Sequence, residues 1–561
     1  MIPIYMIGWK LEVDKSGIPN INLFKDSYFD ICRTTDVGGT KITLTAEEIC
    51  ILMLPFLTEE SIDRCQINRD MLAEKMVKLL WKIKPEIANP TNIANRDNPL
   101  YLMSLQQTIK ETDNYNFVGL YNYIEDHISG TNVISVKLIE RFLKMTDKTN
   151  NNLLIWCCNK NMPANVIIYL LENFTKKCNI DQVNNTGHTA LLWACRNSTD
   201  VAIKIINVSS ENGLECHPGL PNHLGSTPLM AACCSTRKNI ALLMLDTYGT
   251  KCNVGYINTT FNITALLLAC TYGLTDVALK IIDIGGPECS VGYVDRNDKT
   301  ALMYTCINVM TEVALKIIDT FGSECNIGHI CNIIYMPIVH MGNPPIRGNT
   351  ALMLACLNKS TDVALKMIDK FGSECNIGHE NDMGDTVLML ACKYELTEVA
   401  FKIINNCGTE CKIEHINYKK NNALSLACVY GLLDVAICIL DKWGSACNAK
   451  QVNYTGDTAL MLACGYKLSD VAIKIIDTCG SECNIERVNS NGDTALILAC
   501  RKNLTEVALK ILDTFKMKCN IQHQNKHKKT ALNIATTNRL PDVVSAITQT
   551  LLLPLPKSDD I

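Results

Sequence analysis

The segment TALMLACGYKLSDVAIKIIDTCGSECNIERVNSNG (Thr458–Gly492) returns 36 residues later as TALILACRKNLTEVALKILDTFKMKCNIQHQNKHK (Thr494–Lys528). Self-similarity at a fixed period is the signature of a solenoid, in which each unit buries its apolar face against its neighbours. With the degenerate copy that begins near Asn151, the sequence predicts about 10 to 11 repeats. The first residue of the unit recurs, with gaps of 36 to 38 residues and one gap of 50, at Thr189, Thr227, Thr264, Thr300, Thr350, Thr386, Asn422, Thr458, Thr494 and Thr530.

Each unit is predicted to contain two helices and a hairpin. In the unit that begins at Thr458, an apolar stripe at Leu460, Ala463 and Cys464 marks a first helix, because these residues fall on one helical face. Ser469 fits the N-cap of a second helix, since its hydroxyl can accept a hydrogen bond from a backbone amide of the first turn. The turn-rich segment Ile485–Asp493 then leads to the next unit as a β-hairpin would.

Six second helices carry an acid in the first turn and a lysine four residues later. This is the favourable order on a helix surface, so each pair is expected to contribute about 0.2–0.5 kcal/mol. We interpret the charged row as a solvated outer face. The predicted pairs are Asp276 with Lys280, Glu312 with Lys316, Asp362 with Lys366, Glu398 with Lys402, Asp470 with Lys474, and Glu506 with Lys510.

The order helix, turn, helix and hairpin, with T-A-L-x-L-A-C where T-P-L-H-x-A is usual and GSECN where GADVN is common, resembles the ankyrin repeat from about residue 150 to 550. The cysteine-rich, 36-residue variant resembles the ankyrin-repeat proteins encoded by Mimivirus and its relatives. The resemblance implies an all-α solenoid with short β-hairpins. The histidine usual in the first helix is missing, so its hydrogen bonds between repeats are expected to be absent.

The array is predicted at 150–550, between an amino-terminal region at 1–145 and a tail at 551–561. The amino-terminal region shows no repeat, is of no recognised family, and is expected to be mostly helical, with a strand at Lys41–Leu44. Its motif DVGGTK (Asp36–Lys41) resembles the phosphate loop of sugar kinases with an actin-like fold. A glycine turn between two short strands explains the motif more simply.

The 50-residue gap contains a 14-residue insertion within Gly328–Gly348. The insertion falls in a predicted hairpin and should project from one edge of the stack. Its apolar residues, Tyr335 among them, are unusual for a solvent loop. The insertion is therefore expected either to contact a partner or to fold back over neighbouring repeats.

Composition and charge restrict the possible functions. The net charge of −4 offers no electrostatic footprint for sequence-independent binding of nucleic acid. No basic segment followed by an apolar block begins the chain, so no signal peptide is predicted. The longest apolar runs are too short to span a bilayer. We expect an intracellular, cytoplasmic monomer that does not act at a membrane.

Twenty of the 29 cysteines occupy two positions of the repeat. This register indicates cysteine used as a small buried apolar residue, which suits the reducing cytosol. No CxxC pair is present, so neither a metal nor another cofactor is expected. A metal- or redox-responsive protein is the alternative. The two sets are Cys157, Cys195, Cys233, Cys270, Cys306, Cys356, Cys392, Cys428, Cys464 and Cys500, and Cys178, Cys216, Cys252, Cys289, Cys325, Cys375, Cys411, Cys447, Cys483 and Cys519.

The sequence contains no P-loop, HExxH or GxSxG motif, and His329, His379 and His415 recur at one hairpin register that is interpreted as turn surface. The resemblance therefore implies a non-enzymatic scaffold or adaptor that binds a partner protein, a host protein if the chain is viral. The alternative is an enzyme, or a module that recruits a ubiquitin ligase, within residues 1–145, with the repeats as a targeting arm.

Candidate partner-binding residues are positions that the repeat leaves variable. Tyrosine is frequent among binding hot spots because it buries a large area with few rotatable bonds. Three of the tyrosines stand eight residues after the landmark residue in consecutive repeats and are expected to form a ladder on the concave side. The candidates are Tyr272, Tyr394, Tyr430 and Tyr466 at helix ends, Lys419, Lys420, Arg487 and Asn489 at hairpin tips, and Tyr335 in the insertion.

Overall fold

The computed structural model describes residues 143–332 and 347–552 without interruption, the backbone of 34–37 and 40–43, and a few residues between 121 and 140. The chain divides into two compact units, Met1–Asn253 and Val254–Ile561. Most of the predicted amino-terminal region, most of the insertion with Tyr335, and the tail from residue 553 lie outside the described residues.

Two short strands flank the glycines of the DVGGTK motif. Strand β1 (Thr34–Val37) pairs antiparallel with β2 (Thr40–Thr43), and Val37 is opposite Thr40. The pairing agrees with the simpler interpretation of the motif, two short strands around a glycine turn. The predicted strand at Lys41–Leu44 begins and ends one residue earlier.

The described repeats of the first unit contain three helix pairs. First helices pack on the first helices of the neighbouring repeats, and second helices pack on the neighbouring second helices. The pairs are α1 (Leu153–Asn159) with α2 (Ala164–Asn173), α3 (Ala190–Asn197) with α4 (Thr199–Asn212), and α5 (Pro228–Cys234) with α6 (Lys238–Tyr248).

The second unit contains eight helix pairs within its described residues and stacks in the same way. The predicted all-α solenoid is confirmed. The pairs are α7 (Ala265–Thr271) with α8 (Thr275–Gly285), α9 (Ala301–Ile307) with α10 (Thr311–Phe321), α11 (Ala351–Leu357) with α12 (Thr361–Phe371), α13 (Val387–Lys393) with α14 (Thr397–Cys407), α15 (Ala423–Val429) with α16 (Leu433–Trp443), α17 (Ala459–Gly465) with α18 (Ser469–Cys479), α19 (Ala495–Arg501) with α20 (Thr505–Phe515), and α21 (Ala531–Thr537) with α22 (Pro541–Leu551).

The landmark threonine is the N-cap of the first helix. The Oγ1 atom of Thr458 accepts a hydrogen bond from the Met461 amide at 3.3 Å, and the Oδ1 atom of Asn422 does the same for Ser425 at 2.8 Å. The predicted cap at Ser469 is wrong, because Ser469 is already the first residue of α18 and Leu468 precedes it without a side-chain cap. Side-chain capping therefore marks the first helix of the unit, not the second.

The repeat cysteines are core residues, as predicted. All twenty are at most 1% exposed. The Sγ atom of Cys375 donates a hydrogen bond to the carbonyl oxygen of Met367 at 3.4 Å, so the thiol satisfies a carbonyl near the end of α12. Burial raises the pKa of the Cys392 thiol to about 12. Among the described residues, no three metal-ligating side chains cluster.

Burial of these thiols makes their reactivity predictable. At pH 8, a thiol with a pKa of about 12, such as Cys428, is thiolate in only about one molecule in ten thousand. We expect iodoacetamide to spare the repeat cysteines of the native protein and to modify the exposed Cys234, as measured by peptide mass spectrometry. Unfolding in urea should make all of them reactive. A native repeat cysteine that reacts as fast as Cys234 would contradict the core assignment.

The charged row on the second helices connects repeats, so the predicted pairing within one helix is wrong for five of the six pairs. The pair of Asp276 with Lys280 stays a prediction. The Nζ atom of Lys366 lies 2.8 Å from the Oδ1 atom of Asp319, in the preceding second helix. The long lysine side chain reaches the last turns of the neighbouring helix, where a cation is favourable beside the helix C-terminus. The same pairing joins Lys316 to Asp283, Lys402 to Asp369, Lys474 to Asp441, and Lys510 to Asp477.

The two ends of the insertion lie on the two arms of a hairpin. In ordinary repeats the closing bond joins residues four positions apart, as from the Asn381 amide to the Asp385 carbonyl. The amide of Cys331 makes the equivalent bond to the Asn349 carbonyl at 3.0 Å, across eighteen positions. The difference between the two spacings, eighteen and four positions, equals the 14 additional residues. The insertion therefore lengthens one hairpin and leaves its base in the ordinary register.

Gly378 lies where two repeats approach each other closely. A Cβ atom on this residue would overlap the carbonyl oxygen of Glu410, which belongs to the next repeat. The Gly378→Ala substitution should therefore lower the free energy of unfolding by about 1–3 kcal/mol, as measured by urea denaturation. Glu414 is the matched control, because it is the exposed residue at the same position one repeat later. Glu414→Ala should change stability by less than about 0.5 kcal/mol.

Candidate protein-binding surface

The helix-end tyrosines are placed at equivalent positions of the repeat. Each follows the last residue of a first helix, and the backbone amide of Tyr466 closes α17 by bonding to the Leu462 carbonyl at 2.9 Å. Tyr394, Tyr430 and Tyr466 terminate α13, α15 and α17, which pack in succession. Stacked helices lie about 10 Å apart, so the three side chains form a row about 20 Å long.

The tyrosines of this row differ in exposure. Tyr430 is 38% exposed and Tyr466 is 53% exposed. Tyr394 is half-buried, and the Nζ atom of Lys393 lies 5.7 Å from the centre of its ring. Tyr272 is also exposed, but Asn308 and Asn358 stand at its position in the next two repeats. The row therefore consists of the three predicted residues, and Tyr272 lies apart from it.

Two tyrosines at hairpin tips belong to the exposed surface and were missed by the sequence analysis. Tyr418 is 64% exposed and Tyr454 is 68% exposed. The predicted tip residue Lys420 is exposed, and its Nζ atom lies 5.5 Å from the centre of the Tyr454 ring. The predicted Lys419 is also exposed. The available signal was that both tyrosines stand four residues before the landmark residue, in tips that otherwise contain only polar residues or glycine, NYKKN (Asn417–Asn421) and NYTGD (Asn453–Asp457).

Asn489 is engaged within the stack. Its Oδ1 atom accepts hydrogen bonds from the amides of Asn491 and Asp493, both at 2.9 Å, which closes its own hairpin. Its Nδ2 atom donates to the Oδ1 atom of Asp457 in the preceding repeat at 2.7 Å. Asn417 and Asn525 make the same bond between repeats. A structural role therefore accounts for the Asn489 side chain, and its contact with a partner remains a prediction.

Histidines of the hairpins connect successive repeats, which corrects their interpretation as turn surface. The Nε2 atom of His415 lies 2.9 Å from the carbonyl oxygen of Gly384, and His379 reaches Gly348 in the same way at 2.8 Å. The acceptors are tip residues with positive φ, 71° for Gly384 and 74° for Gly348. A hairpin histidine thus supplies bonds between repeats although the usual first-helix histidine is missing. Arg487 stands at this register and is exposed.

The comparisons with known proteins agree with this architecture. Residues 154–256 and 388–487 match the family model described as ankyrin repeats (3 copies). The chain contains ankyrin repeats. Such repeats are generally protein–protein interaction modules, so their presence supports binding of protein partners. No curated protein matches the chain.

Among the residues that the structure describes, no helix has the length and apolar character needed to cross a membrane.

Two solved structures are similar to part of this chain. One is the complex of the Bd0816 predatory endopeptidase from Bdellovibrio bacteriovorus with the immunity protein Bd3460, at a TM-score of 0.29 and 20% identity, covering 36% of this chain and 98% of that chain. The other is the ankyrin repeat domain of Bcl-3, a member of the IkappaB protein family, at a TM-score of 0.32 and 18% identity, covering 44% and 98%.

The hairpin bond of His415 can be tested by a substitution, because another repeat makes the same bond with a different residue. Gln451 stands at the same position one repeat later, and its Nε2 atom donates to the Lys420 carbonyl at 3.2 Å. His415→Ala should lower the free energy of unfolding by about 0.5–1.5 kcal/mol, because the bond to Gly384 is lost. His415→Gln should retain most of the stability in urea denaturation. Equal losses for both variants would show that the ring packs and does not bond.

Proposed function

We propose that the protein is a non-enzymatic scaffold or adaptor that binds a partner protein through two rows on the second unit. The helix-end row consists of Tyr394, Tyr430 and Tyr466. The tip row consists of Tyr418, Lys420 and Tyr454. The observation that supports the proposal most directly is the exposure of large aromatic side chains that the stack does not bury, since Tyr466 and Tyr454 are 53% and 68% exposed.

Tyrosine is suited to this role for a physical reason. It buries a large area with only two rotatable bonds, and its hydroxyl can bond at the rim of an interface. The helix-end row extends about 20 Å, the length of about six residues of extended peptide. Lys420 lies over the Tyr454 ring, so the tip row combines an aromatic surface with positive charge. A partner segment that follows the stack could contact several repeats at once.

The remaining parts of the proposal rest on the sequence. The large number of reduced core thiols favours the cytoplasm, where such thiols persist. The resemblance of the cysteine-rich repeat to Mimivirus-type proteins favours a host partner in the host cytoplasm. We further propose that residues 1–145 form a separate region, and that the protein is a monomer that needs no cofactor. Recruitment of a ubiquitin ligase by residues 1–145 concerns a segment mostly outside the described residues.

The function is tested by affinity capture with the full-length chain, followed by measurement of the dissociation constant for each captured protein. Changing Tyr394, Tyr430 and Tyr466 together to Ala should weaken binding at least about tenfold, because each truncated hot-spot residue costs 1 kcal/mol or more. Lys316→Ala with Lys474→Ala, on the second helices, is the control and should retain affinity. Tyr418→Ala with Tyr454→Ala tests the tip row separately. If both tyrosine variants bind as the wild type does, neither row binds the partner.

A further inference from the structure

In two repeats of the second unit, the acid just before the landmark residue forms an ion pair with a basic residue eight positions after the acid, and we call these two pairs the column of ion pairs. Asp385 pairs with Lys393, whose Nζ atom lies 3.3 Å from the Oδ2 atom. Asp493 pairs with Arg501 through two bonds of 2.5 Å, one to each carboxylate oxygen. The side chains of both aspartates are at most 2% exposed. In these repeats the chain neutralises its own buried carboxylate.

Two repeats lie between these two, and the second of them keeps the acid without a basic partner. Asp457 is the equivalent acid, but the residue eight positions later is Gly465. Asp457 accepts hydrogen bonds from the Nδ2 atom of Asn489 at 2.7 Å and from the Oγ1 atom of Thr455 at 2.6 Å, and both donors are neutral. Among the described residues, no basic group lies within ion-pair distance of this carboxylate. Unlike Asp385 and Asp493, Asp457 is partly exposed.

The space that a basic side chain would occupy is open. A Cβ atom placed on Gly465 meets nothing within 4 Å. One repeat earlier, Asn421 stands at the position of Asp457, and Val429 stands at the position of Gly465. The Oδ1 atom of Asn421 is buried and has no hydrogen-bond partner among the described residues. Neither repeat supplies a cation at this position, but only the Asp457 carboxylate is partly exposed, since the Oδ1 atom of Asn421 is buried.

The repeat that contains Asp457 retains the tyrosine that follows the basic position. In an earlier repeat, Lys393 both pairs with Asp385 and lies 5.7 Å from the centre of the Tyr394 ring. A cation held between a carboxylate and an aromatic face gains from both interactions. At the equivalent positions this repeat has the carboxylate of Asp457 and the exposed ring of Tyr466, with Gly465 in place of the basic residue.

We propose that this position, formed by Asp457, Gly465 and Tyr466, is a subsite for an arginine side chain of the partner protein. Arginine fits better than lysine because its planar guanidinium can engage both carboxylate oxygens, as Arg501 does with Asp493, and can stack on a tyrosine ring. The subsite shares Tyr466 with the helix-end row, and its use by a partner rests on the function proposed above. The partner segment is therefore basic at the residue that reaches Gly465.

The first test uses an arginine introduced at residue 465 as the probe, so it requires no partner. Gly465→Ala controls for the helix propensity of any residue other than glycine. Gly465→Arg should raise the melting temperature of the full-length protein by about 2 °C or more above that of Gly465→Ala. In an Asp457→Asn background this excess should vanish. Equal melting temperatures for the Arg and Ala variants would show that the position does not accept a cation.

The second test measures partner binding. Gly465→Arg fills the subsite from within the chain, and Asp457→Asn removes the charge of the subsite. Each variant should therefore bind the captured partner with an affinity at least tenfold lower. Thr271→Arg is the matched control, because residue 271 has the same position in its repeat, where Ile263 replaces the acid. Unchanged affinity of both subsite variants would overturn the proposal, even if the tyrosine variants lose binding. Loss of binding in the subsite variants alone would instead overturn the role of the tyrosine rows.

Discussion

A pair of short helices cannot bury its apolar surface alone, so the packing of each helix on the equivalent helix of the next repeat is the interaction on which the structure depends. The helix that contains Leu460, Ala463 and Cys464 shows how strict this packing is, because all three side chains are completely buried. Cysteine fits such positions because it is small and apolar, and at the second repeat position its thiol can also donate to a helix carbonyl. Stacking thus explains a composition that otherwise suggests metal or redox chemistry.

Polar groups then fix how one repeat sits on the next. Hairpin histidines such as His415 bond to a tip carbonyl of the preceding repeat, and hairpin asparagines such as Asn489 both close their own turn and reach back to the preceding repeat. Lysines on the second helices connect each second helix to the preceding one by an ion pair, as Lys366 does with Asp319. Polar positions that recur from unit to unit therefore serve the stack. The side chains left for a partner are the few that project beyond these bonds.

The column of ion pairs shows how a repeat array can produce a specific site with a single substitution. Every unit places the same backbone positions in the same geometry, so a pair such as Asp493 with Arg501 is purely structural. When glycine replaces the basic residue at position 465, the carboxylate of Asp457 and the ring of Tyr466 remain in place without the cation. At Asp457 the described residues supply two neutral donors and no cation, and we propose that an arginine of the partner takes this place.

The sequence by itself determined the repeat period, the order of the helices and the burial of the cysteines. It also determined the row of Tyr394, Tyr430 and Tyr466, because each of these features follows from a pattern within one unit. The tertiary structure decided which groups meet across units. Lys366 pairs with Asp319 of the preceding repeat, not with Asp362 of its own helix, because the neighbouring helix end lies within reach of its side chain. The ion pair of Asp493 with Arg501 has the same origin, since only the packed repeat brings the hairpin residue to the end of the helix.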